Sequence, residues 1–128
     1  MRTAICAAII EDNKILLVRK NRTWILPGGK PEKEEKDLEC LTREIDEELS
    51  GTKIKEISFY KQFEGRTPHK GDILSARVYF ANLSGELYAV RKEDSISEVK
   101  WVTNFEDYNI SEITSKIINS LKQDDYLE

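Results

Sequence analysis

A mixed α+β fold is what this sequence predicts, and three changes of hydrophobic period predict it. Segments rich in Ile, Val, Leu and Ala at 3–10 and 14–19 give way to helical spacing over 35–49. Strand-like stretches follow at 54–63 and 73–81, and a second helical pattern runs through Ile113, Ile117, Ile118 and Leu121. The order is strands, helix, strands, helix, without repeats or low-complexity tracts, so residues 1–128 are expected to form one domain around one core.

Each element has a local reason. Asp12 and Asn13 suit a tight hairpin between the first two strands, because both residue types tolerate positive φ. Pro27-Gly28-Gly29 is expected to interrupt regular structure. In the first helix Leu38, Leu41, Ile45 and Leu49 fall on one stripe that should face the core. Over 73–81, Leu74, Ala76, Val78 and Phe80 alternate with Ser75, Arg77 and Tyr79 as a strand requires. The stretch EGRTPHKGD, with the lone His69, has loop chemistry. Residues 85–87 are expected to begin a short strand and 98–103 to form another. Ser111 is placed to cap the last helix, and the tail QDDYLE is expected to fray. Trp24, Phe59, Tyr79 and Trp101 are expected in the core or a pocket wall.

Composition narrows the function. A net charge of −4 argues against a duplex-DNA binder, which would show a basic face, but not against a small anionic substrate. The apolar run near the start is too short to span a bilayer and reads better as a strand. Cys6 and Cys40 lie within apolar patterns and are expected to be buried, reduced thiols, which points to the cytoplasm.

The chemistry concentrates in GGKPEKEEKDLECLTREIDEELSG, from Gly28 to Gly51. Glu44, Glu47 and Glu48 are three and four apart, so on a helix they share one arc, with Glu48 nearest the apolar stripe. Like charges at that spacing cost an isolated helix a few tenths of a kcal/mol per pair, roughly. Concentrating them beside a glycine turn makes sense if a cation sits between them. Hard Mg²⁺ or Mn²⁺, which act on substrate phosphates, are the natural candidates.

With Gly29, Glu35 and Arg43-Glu44-Ile45-Asp46-Glu47-Glu48 in register, the chain resembles the Nudix hydrolases. The lead-in Trp24-Ile25-Leu26-Pro27-Gly28 and the later Glu98 before Lys100-Trp101-Val102 extend the likeness. Two positions depart from the family pattern. Ser50 occupies the box glycine, so the helix is expected to end one residue later on Gly51. Glu34 stands where many members have glycine.

The resemblance implies an α/β/α sandwich with a mixed sheet between helices, and a catalytic centre of Glu44, Glu47, Glu98 and Arg43. It further implies Mg²⁺, with Mn²⁺ as an alternative, held by Glu44, Glu47, Glu48, Glu98 and the Gly28 carbonyl. Glu35, expected in the first helical turn, would support the site, and Arg43 would aim a carboxylate. Glu98 would supply a ligand or the general base, with Glu93 and Asp94 in the same acidic stretch. Arg19, Gly29, Lys30 and Asn109 are the expected substrate contacts. The implied reaction is hydrolysis of a phosphoanhydride in a nucleoside diphosphate linked to another group, foremost a (d)NTP giving a monophosphate and pyrophosphate. ADP-ribose or a nucleotide sugar is the rival substrate; a non-catalytic nucleotide-binding regulatory domain is the rival class. The expected partner is a small nucleotide, with neither nucleic acid nor membrane, and the residues leave the oligomeric state open.

Overall fold

The computed structural model describes residues 2–67, 71–86 and 96–128. The expectations for Pro68, His69, Leu87, Glu93 and Asp94 lie outside these residues. The element order is β1 (Arg2–Ala8), β2 (Ile10–Glu11), β3 (Lys14–Lys20), β4 (Thr23–Ile25), β5 (Gly28–Gly29), α1 (Asp37–Glu48), β6 (Thr52–Arg66), β7 (Ile73–Gly85), β8 (Ile96–Val102) and α2 (Glu112–Gln123). Among the described residues the strands form two sheets. One has the order β5-β1-β7-β6, with β1 and β7 parallel and the other pairs antiparallel. The other is antiparallel, with β3 between β2 and β4 and also paired to β8.

Strand pleating explains how one sheet serves two helices. Ile5 and Ala7 of β1 join a core with Leu41, Ile45 and Leu49 around α1, whereas Ala8 joins Ala76, Val78, Ile113, Ile117 and Leu121 around α2. Neighbouring residues thus point to opposite faces, and the helices cover opposite sides. Asp12 and Asn13 take φ of 50° and 61°, as their hairpin requires.

Several local expectations are corrected by tertiary packing. Gly28–Gly29 does not interrupt regular structure: it pairs with β1, Gly29 opposite Ile5 and Gly28 opposite Cys6. Glu35 lies outside α1, which begins at Asp37. Leu38 is 49% exposed, because Asp37 rather than Leu38 is turned to the sheet, where Arg77 and Tyr79 bind it. The helix ends at Glu48 with Leu49 as its cap, so it is not lengthened, although Gly51 does take the left-handed turn at φ 89°. Gly85 closes β7 instead of opening a new strand.

Phe59 and Trp101 are exposed because each stands on an outer strand, β6 or β8. The tail does not fray. Leu127 is buried, the Tyr126 ring lies 4.6 Å from that of Phe80, and the Glu128 amide donates to Asn13. No helix among the described residues is long and apolar enough to cross a membrane.

Candidate active site

The tight apposition of β5 and α1 forms the centre. Gly28 has φ 144°, and a Cβ there would collide with the backbone of Ile5 and Cys6 on β1. A Cβ on Gly29 would lie 2.5 Å and 2.7 Å from the two carboxylate oxygens of Glu44. The two glycines therefore let a strand enter between the sheet and the acidic helix face. The Gly28 amide donates to Glu48 Oε1 at 2.8 Å. That contact helps Glu48 remain only 2% exposed, since a buried carboxylate needs charge-assisted partners.

Arg43 organises the remaining carboxylates. Its Nε and Nη2 donate to both oxygens of Glu35 at 2.8 Å and 2.9 Å. Nη1 donates to Glu44 at 2.9 Å and reaches Glu47 at 3.5 Å, while Nη2 also donates to the Lys30 carbonyl. The hydrogen bonds from Arg43, reinforced by the Glu32 amide, hold the Glu35 carboxyl down at about 2. Arg43 in turn is pushed up, first by Glu35. Outside the helix, Glu35 acts as an abutment that fixes one edge of the guanidinium so the other can face Glu44.

Burial pushes both thiols up to about 12, with Glu48 adding to the effect at Cys6 and Glu35 at Cys40. Neither cysteine is in a disulfide, and both are protonated at neutral pH. Cys40 is buried as expected, while Cys6 is only half-buried and forms part of a cavity wall.

That cavity, of about 300 Å³, adjoins the glycine strand. Gly28, Gly29 and Lys30 line one part; Ile25, Leu26, Leu74, Ala76, Ile113 and Ile117 provide apolar wall. Arg2 and Lys20 add positive charge, and Thr23, Thr67, Ser111 and Thr114 supply hydroxyls. The start of α2 is brought here by backbone bonds from Trp24 to Asn109 and from Ser111 to Trp24.

The structure brings Gly28, Gly29, Lys30, Glu35, Arg43, Glu44, Glu47 and Glu48 together. Arg19 and Glu98 instead meet each other at 2.7 Å across the β3–β8 ladder. Arg19 Nε donates a hydrogen bond to Ser97 Oγ, and Lys100 approaches Glu98 at 3.7 Å. The Asn109 amide donates to the Arg22 carbonyl. Sequence reasoning missed the cavity residues Arg2, Cys6 and Lys20, as well as a fork from Arg77 to Asp37. An arginine within the apolar alternation of β7 was the available signal for the fork.

The donor set suits a hard divalent ion: three carboxylates within two helical turns, backed by a strand whose missing Cβ leaves room beside Glu44. Among the described residues, however, no three acidic, cysteine or histidine side chains stand gathered as a metal site. Arg43 bridges Glu44 and Glu47 as they stand.

The NUDIX domain family model matches residues 1–117. Solved structures agree in fold. The MutT NUDIX hydrolase of Burkholderia pseudomallei is 26% identical, with a TM-score of 0.75, covering 92% of this chain and 95% of its own. A NUDIX hydrolase from Nitrosomonas europaea superposes with a TM-score of 0.79 at 17% identity, covering 99% and 95%. The NUDIX domain of Shewanella oneidensis NrtR, solved with ADP ribose, gives 0.73 at 18% identity, covering 97% and 88%. No curated protein matches the chain by sequence. The chain belongs to the Nudix family of hydrolases, which act on pyrophosphate bonds in nucleoside diphosphate derivatives and generally use a divalent metal.

Proposed function

We propose that residues 1–128 work as one domain that hydrolyses a (d)NTP to the monophosphate and pyrophosphate with Mg²⁺. The cavity carries this reading: at about 300 Å³ it stands at the small end of ligand pockets, which suits one nucleoside without a second sugar linked to it. Its apolar walls suit a base and sugar, and its Gly28-Gly29-Lys30 edge leads to the carboxylates.

Glu44, Glu47, Glu48 and the Gly28 carbonyl would hold Mg²⁺, or Mn²⁺, with Glu98 as a further donor from β8. The ion would offset phosphate charge and lower the pKa of the attacking water. Arg43 orients Glu44 and Glu47, and the Gly28 amide orients Glu48. Glu47 and Glu98, each 37% exposed at the side chain, are the proposed proton acceptors. Lys30 would contact phosphate. Arg19 would do so only after parting from Glu98, and Asn109 only after releasing the Arg22 carbonyl.

A panel of NTPs, dNTPs, oxidised dNTPs, ADP-ribose and nucleotide sugars, assayed with Mg²⁺ and with EDTA, tests this. We expect the highest kcat/KM on a nucleoside triphosphate, pyrophosphate as product, and no turnover in EDTA. Faster hydrolysis of ADP-ribose or a nucleotide sugar would overturn the substrate assignment. Tight nucleotide binding without turnover of any compound would identify a sensor instead.

A further inference from the structure

A second arginine fork, away from the Arg43 cluster, ties the first residue of α1 to the sheet. Arg77 Nε and Nη2 each donate to a different oxygen of Asp37 at 2.8 Å, and the Tyr79 hydroxyl adds a bond at 2.6 Å. All three side chains are partly buried, so this pair is shielded more than a surface ion pair. The Arg77 bonds, then Tyr79, hold the Asp37 carboxyl below its ordinary range. Asp37 also places negative charge on the positive end of the helix.

Sheet register gives the fork its significance. Arg77 pairs with Ile5, and Ile5 pairs with Gly29, so Arg77 and Gly29 stand in one row across β7, β1 and β5. The helix is therefore referenced to that row at its start, through Asp37. At its far end it is referenced to β5 through Glu48 and the Gly28 amide. Glu44 lies between these two anchors, against Gly29.

We propose that Arg77 is a positioning residue: through its bidentate grip on Asp37 it sets the place of the α1 carboxylates against the Gly28–Gly29 strand, and so their affinity for a divalent ion. This rests on the metal-dependent reading above.

Mn²⁺ alone is the probe, titrated into the full chain and followed by the EPR signal of the free ion. Arg77→Met and Asp37→Asn should each raise the half-saturating Mn²⁺ concentration about tenfold, the scale typical of groups that orient metal ligands. The pair of variants separates geometry from charge. Losing Arg77 makes the region more negative, which by charge alone would tighten cation binding, whereas losing Asp37 does the opposite. Weakening in both variants is expected only if placement matters.

Arg77→Lys should fall between, since an ammonium cannot reproduce the fork. Asp124→Asn, which breaks the Lys61 pair at the end of α2, should leave Mn²⁺ binding unchanged even if it lowers Tm. Wild-type Mn²⁺ affinity in folded Arg77→Met or Asp37→Asn would overturn the proposal. If Arg77→Met does not fold, Asp37→Asn and Arg77→Lys decide it. Absence of Mn²⁺ binding by the unmodified protein would overturn the metal reading itself, whatever the variants do.

Discussion

The two helices have the same length, twelve residues each, and pack on opposite faces of the same sheet, yet they follow the rules of helix stability very differently. In α2, Ser111 accepts the Thr114 amide, Glu112 opens the first turn, Lys122 sits in the last, and the buried stripe is almost wholly aliphatic. In α1 the cap position is Lys36, whose side chain accepts no amide, and the last turn holds no basic residue. Instead, Glu47 and Glu48 stand at the negative end of the dipole, unfavourable by about 0.3–1 kcal/mol each at exposed sites. One of these, Glu48, is buried. A helix that gives up stability at its end while keeping its carboxylates is what the proposed metal site requires. The contrast falls on the helix that carries the carboxylates of the proposed metal site.

Exchanging one charge on each helix gives the sharpest test of the contrast. Glu48→Gln should lower kcat about a hundredfold, roughly 2.7 kcal/mol of transition-state stabilisation, while the protein still melts cooperatively. Glu112→Gln on α2 keeps an acceptor for the Arg66 amide and should leave kcat within about twofold. Equal effects at the two sites, measured at saturating Mg²⁺, would erase the distinction between the helices.

The caps offer a smaller, purely structural test. Ser111→Ala should cost about 1 kcal/mol in urea unfolding, because the Thr114 amide and hydroxyl both lose a partner. Lys36→Ser, at a residue already in the extended conformation of a cap, should instead add about 0.5–1 kcal/mol. A loss of stability on introducing serine at 36 would mean that α1 is not under-capped.

The mildest effect concerns acid. Glu35 titrates at about 2 in the folded chain and near 4.5 when unperturbed, so its pairing with Arg43 contributes fully above about 4.5. The contribution should shrink as pH falls from 4.5 towards 2 and vanish below. Urea unfolding of the parent and Glu35→Gln at pH 6, 4, 3 and 2 should show a stability gap that narrows steadily over that range. A constant gap would mean that Arg43 is held by its other partners, leaving Glu35 without a share in the clamp.

The acidic arc of the candidate site was more legible than its surroundings, for reasons particular residues make clear. Spacing alone put Glu44, Glu47 and Glu48 on one arc and Glu48 nearest the core, because positions three and four apart are neighbours on any α-helix. The hairpin at Asp12-Asn13 and the cap at Ser111 are equally local, each decided by backbone preferences within a few residues.

Leu38 fits its stripe yet lies in solvent, because Arg77, thirty-nine positions away, turns Asp37 to the sheet. Gly28-Gly29 reads as a break but becomes a strand, since only β1 can supply its partner. Arg19 and Glu98 read as two independent site residues but face each other across a ladder whose register no local pattern encodes. The tail reads as loose and packs against Tyr60 and Phe80 from distant strands. Period and turn chemistry act through neighbours along the chain, so they survive in the linear order of residues. Which face is covered, which edge is paired and which charge meets which depend on sheet order and on contacts between residues far apart in that order, and these exist only once the chain has folded.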